Sequence, residues 1–431
     1  MRGFKERLAK EGKLIEIERS VSSRYEVASI CAEFERKGNN MPVLFHSVDG
    51  THRVIMNVLG GREILAELLG TSSSNIAPFL AKIAEGERGG GERGGSKVKI
   101  VEDSPTREVV SKPDLSELPI LTYFRGDGGA YITGGVVVAE RDGVRNASIH
   151  RMMVLDEKRL AARLVPPRHL YKMHREAIER GEDLKVGIAI GVDPAVLLAA
   201  STRVPPGNEF EYASALKREP VELFKLGNGV AVPHAEIALE GVIGEERVNE
   251  GPFLDITGTY DRIREEPVIT LTRVYSRKDP IYHAILPSGS EHKLLMGVPY
   301  EPLIFRAVER VAHVKNVFLT EGGCCYLHAV VQIRKEGEGE AKNAIIAAFA
   351  AHPSLKSVVV VDTDIDIFDP KDVEYAIATR VRWNEDVVFI PRARGSSLDP
   401  SSKNGLTTKM GIDATKEYGE EKRYERVVTT E

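Results

Sequence analysis

The sequence predicts a multidomain protein of mixed α+β and α/β class. We expect an N-terminal α/β region, a central strand-rich, barrel-like domain and a C-terminal α/β domain with an extended tail. A chain of 431 residues with 42% apolar content can supply two or three cores. Helix and strand patterns alternate near both ends of the chain, and strand patterns dominate from about Leu118 to Thr272.

The N-terminal region alternates the two kinds of hydrophobic period. A period near 3.6 predicts helices, whereas short runs rich in β-branched residues predict strands. The predicted elements are a helix over Phe4–Lys10, a helix over Arg24–Arg36, the strands PVLFHSV and HRVIMNVL, and a helix over Arg62–Leu69.

The glycine-rich segment from Glu85 to Ile100 predicts a flexible connection. Its sequence, EGERGGGERGGSKVKI, combines glycines with paired charges and cannot bury a core. A phosphate-binding glycine loop is the alternative, but such a loop ends in Gly-Lys-Ser/Thr and follows a strand. Neither feature is present in the sequence pattern, so the connection is favoured.

The central and C-terminal regions differ in pattern. Arg141-Asp142-Gly143 separates two strand-like runs and predicts a hairpin. After Pro302 the chain alternates again, which indicates a second α/β domain. Its predicted elements are the helix IFRAVERVAH, the strand CYLHAVVQI, the helix AKNAIIAAFAAH, the strand SVVVVDTDIDI and a helix after Pro370. The polar tail from Arg392 is predicted either to be disordered or to lie across a partner subunit.

Composition excludes several classes of function. The net charge of −5, from 59 basic and 64 acidic residues, argues against a nucleic-acid or anionic-lipid partner. Three cysteines without a CxxC spacing indicate a reducing compartment. The charged N-terminus does not resemble a signal peptide, and no run approaches the roughly 18 apolar residues of a membrane span. We therefore expect a cytoplasmic protein.

Two sets of polar residues are candidates for chemistry. Asn146, His169 and Glu209 offer an amide, an imidazole and a carboxylate, a ligand set suited to Mn²⁺ or Mg²⁺ when phosphate oxygens complete the shell. Arg151, Glu250 and Asp255 join one guanidinium to two carboxylates of differing proton affinity, as general acid catalysis requires. Taken singly, these residues are more often surface, capping or salt-bridge groups.

Five ordered segments resemble the UbiD family of decarboxylases. They are RNASIHRMMVLDEKRL, PPRHLYKMHREA, PPGNEFEYASALKREPVELFK, VPHAEIALEG and EGPFLDITGTY. Weaker matches extend the resemblance over nearly the whole chain. It implies an N-terminal α/β region (residues 1–115), a central split β-barrel of flavin-reductase type (116–305) and a C-terminal α/β oligomerisation domain with the tail (306–431).

The resemblance implies prenylated FMN as the cofactor, bridged by Mn²⁺ or Mg²⁺ to its protein ligands, with K⁺ alongside. Asn146, His169 and Glu209 match the metal ligands, and Ala200 to Thr202 match the potassium-lining segment. Lys356 matches a lysine near the cofactor phosphate, where a point charge favours an anion. The positions expected to contact the cofactor are Asn146, Ser148, Ile149, His150, Arg151, Arg168, His169, Ser201, Thr202, Glu209 and Lys356.

Arg151, Glu250 and Asp255 match the family's catalytic network, in which the arginine clamps the substrate carboxylate and an acid protonates the carbon that loses CO₂. Asp255 would be the proton donor and Glu250 its neighbour. Leu254-Asp255 stands where many relatives have Gly-Glu, so this acid is one methylene shorter. Asn146 and Arg151 are five residues apart, which places them on opposite faces of a regular strand and predicts a bulge or a strand end between them.

The implied reaction is the reversible, non-oxidative decarboxylation of an unsaturated or aromatic acid. The leading substrate candidate is trans-anhydromevalonate 5-phosphate, and the alternative is a 3-polyprenyl-4-hydroxybenzoate. A flavin-dependent oxidoreductase and a non-catalytic protein of the same fold are the rivals from other classes. A flavin prenyltransferase would supply the cofactor, and we expect a homodimer or a higher homo-oligomer.

Overall fold

A computed structural model describes residues 1–84, 86 and 98–427. The chain divides into two compact units, unit 1 (Met1–Gly70 and Gly94–Leu295) and unit 2 (Thr71–Arg93 and Met296–Glu431). Most of the predicted flexible connection, residues 85 and 87–97, lies outside the described residues, and its last three residues belong to a strand. None of the helices in the described part of the chain has the length and apolar character needed to span a membrane.

The helices follow the amphipathic patterns of the sequence closely at both ends of the chain. In the described residues they are α1 (Arg2–Lys10), α2 (Glu26–Arg36), α3 (Arg62–Leu69), α4 (Ile76–Ala84), α5 (His169–Glu179), α6 (Pro194–Ser201), α7 (Glu209–Lys217), α8 (Ser290–Gly297), α9 (Glu301–Glu309), α10 (Glu340–Ala351) and α11 (Pro370–Arg380). The predicted helix IFRAVERVAH is confirmed with shifted bounds, because His313 already pairs with a neighbouring strand.

The strands of unit 1 form four sheets. They are β1 (Ile15–Ile17), β2 (Val43–Val48), β3 (His52–Met56), β4 (Val98–Val101), β5 (Val109–Ser111), β6 (Tyr131–Ile132), β7 (Gly135–Arg141), β8 (Val144–Ile149), β9 (Met152–Val154), β10 (Arg159–Ala162), β11 (Leu184–Ile190), β12 (Val221–Lys225), β13 (Ala231–Pro233), β14 (Ile237–Glu250), β15 (Phe253–Leu254), β16 (Tyr260–Asp261), β17 (Arg264–Ser276) and β18 (Ile281–His283).

The largest sheet of unit 1 has nine strands in the order β6-β9-β10-β17-β14-β11-β7-β8, with β5 paired to β17. Its path does not close into a barrel among the described residues, because β6 and β8 lie at opposite ends. The smaller sheets are β1-β2-β3-β18, β13-β12-β4 and β15-β16. The mixed α/β multidomain class is thus confirmed.

The predicted hairpin between β7 and β8 is confirmed. Arg141 pairs with Val144, and the two turn residues Asp142 and Gly143 have φ values of 50° and 77°. Both central residues of a type I′ turn need positive φ, and an aspartate followed by glycine suits it. Consecutive buried residues on β7, Val136 to Ala139, anchor the hairpin in the core of unit 1.

Unit 2 is built on one five-stranded sheet in the order β19-β20-β21-β23-β22. Its strands are β19 (His313–Leu319), β20 (His328–Arg334), β21 (Ser357–Asp362), β22 (Val387–Arg394) and β23 (Leu406–Ala414). β23 lies between β21 and β22, so part of the polar tail forms an interior strand of this sheet. Neither of the two states predicted for the tail therefore holds for Leu406–Ala414.

Candidate active site

Strand β8 carries a chain of hydrogen bonds on one of its faces. The Asn146 amide Nδ2 donates to Ser148 Oγ over 2.9 Å, and Ser148 Oγ lies 2.9 Å from His150 Nε2. His150 Nδ1 lies 2.8 Å from the carbonyl oxygen of Arg163, so Nδ1 carries the proton and Nε2 accepts from the serine. The alternation of strand side chains puts residues 146, 148 and 150 on the same side.

The hydrogen bonds along Asn146, Ser148 and His150 fix the orientation of the Asn146 amide. The amide nitrogen is occupied by Ser148, which turns the amide oxygen Oδ1 the other way. Burial lowers the pKa of His150 to about 4, the nearby Arg168 and Arg163 contribute in the same direction, and the imidazole is neutral at pH 7. A neutral imidazole accepts the serine proton, so each donor in the chain has an acceptor.

His169 and Glu209 lie at the first residues of two helices, α5 and α7. Both residues fall within residues 118–272, where strand patterns dominate the sequence, and the structure instead places each on a helix. His169 is the first residue of α5, which has Arg168 as its N-cap, and Glu209 is the first residue of α7, which has Asn208 as its N-cap. Helix N-termini direct free N–H groups and partial positive charge toward anions.

Two of the three candidate metal ligands, His169 and Glu209, approach each other in unit 1. His169 Nδ1 lies 3.9 Å from Glu209 Oε1, less than the ~4.2 Å that two metal–ligand bonds of ~2.1 Å can span. The Glu209 carboxylate accepts a hydrogen bond from the backbone of Ala147, the residue after Asn146. Asn146 and Glu209 are both buried. An imidazole and a carboxylate at this separation fit a divalent cation, and the Asn146 amide is the third candidate ligand.

Electrostatics at Glu209 agree with a cation site. Burial, together with the neighbouring carboxylate of Glu211, raises the pKa of Glu209 to about 7 against backbone N–H groups that lower it. A buried carboxylate is costly without a compensating charge. A divalent cation would supply that charge.

The second cluster forms around Arg151, just beyond the end of β8. Arg151 Nε and Nη2 bind the two oxygens of Glu250, both over 2.9 Å. Arg151 Nη1 lies 3.2 Å from Asp255 Oδ2, and Nη2 lies 3.0 Å from Asp261 Oδ2. The guanidinium also stacks over Phe253, with 4.9 Å between its carbon and the ring centroid. The predicted trio of Arg151, Glu250 and Asp255 is therefore one contiguous network.

Strand β8 resolves the odd spacing between Asn146 and Arg151. The strand ends at Ile149, and Arg151 lies in the short break before β9. The chain leaves its regular alternation there, so the arginine need not continue the face that carries Asn146. Strand β8 thus carries a candidate metal ligand near its start and is followed by the Arg151 guanidinium after its end.

Glu250 ends the long strand β14, and its carboxylate is completely buried. Burial lowers the pKa of Arg151, but the hydrogen bonds and charges of the surrounding carboxylates, chiefly Glu250, outweigh it and raise the pKa well above the usual value. The guanidinium therefore stays charged. Burial and the neighbouring Glu250 also raise the pKa of Tyr131, so its phenol stays protonated beside this carboxylate.

Sequence reasoning missed three groups of the Arg151 network. Asp261 binds Arg151 and, through two bonds, Arg264. His292, on α8, interacts electrostatically with Asp255 and Arg151, and burial lowers its pKa. Asp261 could have been recognised from its sequence position, because it lies on the strand that follows Asp255 and three residues before Arg264. Nothing in the sequence pattern pointed to His292, because it lies on a helix distant in sequence.

The remaining predicted cofactor residues lie in different surroundings. The hydroxyls of Ser201 and Thr202, at the end of α6, both donate to the carbonyl oxygen of Leu198 over 2.7 Å. Ile149 ends β8, and Arg168 precedes His169. Lys356 belongs to unit 2, where its Nζ binds Asp399 over 3.0 Å and Ser401 over 2.5 Å. Its assignment to the cofactor phosphate stays a prediction.

Comparison with known proteins decides the family. Residues 5–84, 99–290 and 293–414 match the N-terminal, Rift-related and C-terminal domains of 3-octaprenyl-4-hydroxybenzoate carboxy-lyase, UbiD. The chain belongs to the UbiD family. The predicted resemblance is thereby confirmed over most of the sequence, in the order of motifs that indicated it.

Several UbiD-family relatives are similar over the full length. The anhydromevalonate phosphate decarboxylase of Methanosarcina mazei is 57% identical, covering 100% of this chain and 99% of its own. That of Archaeoglobus fulgidus is 51% identical, over 90% and 88%. Among solved structures, the UbiD-class enzyme HmfF from Pelotomaculum thermopropionicum in complex with FMN has a TM-score of 0.93 at 38% identity, covering 99% and 97%.

Proposed function

We propose that this UbiD-family chain catalyses the non-oxidative decarboxylation of a small α,β-unsaturated acid with prenylated FMN, and that trans-anhydromevalonate 5-phosphate is the substrate. The observation that carries the reaction is the buried network in which Arg151 binds Glu250 and Asp255. The substrate follows from similarity to the archaeal anhydromevalonate phosphate decarboxylases. An evolved dimeric form of HmfF in complex with prFMN, 36% identical with a TM-score of 0.89, supports the cofactor.

Asn146, His169 and Glu209 would hold Mn²⁺ or Mg²⁺ at the flavin phosphate, and the segment ending in Ser201 and Thr202 would line a K⁺ site. The donor set and the 3.9 Å between His169 and Glu209 support the divalent ion. When bound, the modified flavin supplies the electron sink that loss of CO₂ from an sp² carbon requires. The protein then has to position the acid and move one proton.

Arg151 orients the substrate carboxylate, and Asp255 delivers the proton. Glu250 grips Arg151 with two bonds and is fully buried, so it fixes the guanidinium. Asp255 makes one bond of 3.2 Å to Arg151 and retains some exposure. An incoming carboxylate adds negative charge to a site with more carboxylates than arginines, which favours proton uptake by the least tightly paired acid. That acid is Asp255.

The rest of the predicted organisation belongs to the same proposal. A split β-barrel of flavin-reductase type is supported by the nine-stranded sheet and by similarity to the UbiD Rift-related domain. The boundaries 1–115, 116–305 and 306–431 stay predictions, as do the cytoplasmic location and a flavin prenyltransferase as cofactor supplier. A homo-oligomer is supported by the evolved dimeric relative.

The decisive experiment is CO₂ release by protein co-expressed with a flavin prenyltransferase. Trans-anhydromevalonate 5-phosphate and a 3-polyprenyl-4-hydroxybenzoate are offered separately, and turnover of the second alone would replace the proposed substrate. Arg151→Ala and Glu250→Gln should each lower kcat/KM by at least about 100-fold, because the first leaves the buried Glu250 carboxylate without its arginine and the second removes the charge that holds the guanidinium in place. The exposed Glu265→Gln is the matched control and should retain wild-type activity. Near wild-type rates in either of the first two variants would refute the assigned roles.

A further inference from the structure

The Arg151 guanidinium is almost saturated by carboxylates of its own chain. An arginine side chain has five N–H donors. Nε–H and one N–H of Nη2 bind Glu250, the second N–H of Nη2 binds Asp261, and one N–H of Nη1 binds Asp255. Four of the five donors are thus engaged, and the remaining one is on Nη1.

The three carboxylates are not equally exchangeable. Glu250 makes two bonds and is buried. Asp261 is fixed from the other side by Arg264, whose Nη2 lies 2.6 Å from Asp261 Oδ1, and by the backbone N–H of Arg262 at 2.9 Å. Asp255 also accepts a backbone N–H, that of Ile256 at 2.7 Å, but it has no second arginine among the described residues, and its contact with Arg151 is the longest of the three, 3.2 Å. A substrate carboxylate therefore displaces Asp255 in preference to the other two.

One hairpin supplies both aspartates. Asp255 follows β15, and Asp261 lies on β16, directly opposite Phe253. The turn between them is closed by backbone bonds from Asp255 N to Thr259 O and from Gly258 N to Asp255 O. Arg264 pairs with Glu250 across β14 and β17, so the ion pair Asp261–Arg264 connects the hairpin to the strand end that carries Glu250.

We propose that Asp261, held by Arg264, is a positioning residue that keeps Nη2 of Arg151 occupied, so that the substrate carboxylate is bound through Nη1 alone and the acid it displaces is Asp255. This inference rests on the proposed function and adds a residue that determines how the substrate carboxylate binds Arg151. Because Nη2 is occupied, the substrate carboxylate cannot form hydrogen bonds with Nη1 and Nη2 at the same time. The substrate is thereby placed next to Asp255, which is released at the moment when a proton donor is needed.

Arg151 and Arg264 keep the Asp261 carboxylate in its charged form. Burial raises the pKa of Asp261, but the hydrogen bond from Arg264 and the positive charges of Arg151 and Arg264 outweigh it, and the pKa lies below the usual value. The carboxylate is therefore available as an acceptor for Nη2 over the working pH range. Neutralising it would free a second donor on Arg151 and remove one negative charge that opposes the substrate.

The test is steady-state kinetics of cofactor-loaded Asp261→Asn, with CO₂ release by the wild type establishing the proposed function first. Because the variant binds the carboxylate better but places it worse, kcat should fall about tenfold while KM stays equal or falls. Calorimetric affinity for a saturated, unreactive analogue of the acid should likewise be unchanged or higher. Arg262→Gln, an exposed charge on the same hairpin, is the control and should behave as wild type.

Arg264→Gln separates positioning from simple loss of structure. If Arg264 acts through Asp261, the double variant should be no slower than Asp261→Asn alone, and Arg264→Lys should recover part of kcat. Cofactor content per subunit, read from its absorption, corrects the rates for damaged protein. A raised KM with unchanged kcat, kcat within twofold of wild type, or additive losses in the double variant would each overturn the inference. If Asp261→Asn does not fold, the same kinetic criteria apply to Arg264→Gln and Arg264→Lys.

Discussion

The buried side chain of His150 fixes the side chain of Ser148 on β8 and, through it, that of Asn146. Its two ring nitrogens are both used, one by Ser148 and the other by the carbonyl oxygen of Arg163. Only the neutral ring can accept from the serine, and burial favours that form. The orientation of Asn146 therefore depends on a histidine that is not itself one of the candidate metal ligands, a role that residues behind metal ligands often have.

The same histidine makes the stability of the protein depend on pH. Its pKa is about 4 in the folded state and near 6.5 when unfolded, so the contribution is complete above pH 6.5 and is lost as pH falls toward 4. A shift of this size corresponds to about 3 kcal/mol. We expect the free energy of unfolding of His150→Asn, from urea titrations, to fall less steeply between pH 6.5 and 4 than that of wild type. Equal slopes would contradict the assignment.

At the scale of elements, the β15–β16 hairpin and the end of β14 depend on a close backbone contact. The N–H of Gly128 donates to the carbonyl oxygen of Pro252 over 2.8 Å. A Cβ added at Gly128 would lie 2.3 Å from the carbonyl oxygen of Gly251, whereas one at the neighbouring Gly129 would meet nothing nearer than 3.7 Å. Glu250 immediately precedes this contact.

Gly128→Ala should therefore displace the segment that carries Glu250. We expect a loss of about 1–3 kcal/mol in stability, typical of overpacking, together with a disproportionate loss of kcat. Gly129→Ala has space for its methyl group and is the matched control. Thermal unfolding and CO₂ release measure the two effects, and similar behaviour of the two variants would show that the contact is not needed for the site.

Helices α5 and α7 begin at two candidate ligands that lie in a strand-rich part of the sequence. His169 follows two prolines and Glu209 follows Pro-Gly-Asn, and both segments lie in a strand-rich context. Proline and asparagine before these residues are helix-start signals, and they were outweighed by the surrounding pattern. The difference matters because a helix start offers free backbone N–H groups that favour an anion, which a strand does not do.

At the scale of the whole molecule, α4 belongs with elements that are distant in sequence. It lies within unit 2, although some 200 residues separate it from the rest of that unit. Ile76, Ala77, Leu80 and Ala81 on α4 are buried, and the carbonyl oxygen of Ala81 accepts a bond from Arg306 on α9. The order of segments along the chain therefore differs from the order of compact units.

Leu80→Ala should consequently weaken unit 2 more than unit 1. Truncating a buried leucine costs about 2–5 kcal/mol. We expect faster hydrogen exchange in peptides from β19, β20 and β21 and little change in peptides from β7 and β11. Lys82→Ala on the same helix is the control. Faster exchange in unit 1 alone would show that α4 stabilises the other unit.

From the sequence one can predict the family, the mixed α/β class, most helices and strands near the two ends, and the residues of both polar clusters. These follow from local period, turn chemistry and ordered motifs. The folded chain was needed to show that Asp261, Arg264 and His292 join Arg151, that β23 is an interior strand, and that α4 belongs to unit 2. The physical reason is that hydrogen-bond saturation and burial depend on contacts between residues distant in sequence, which no local pattern records.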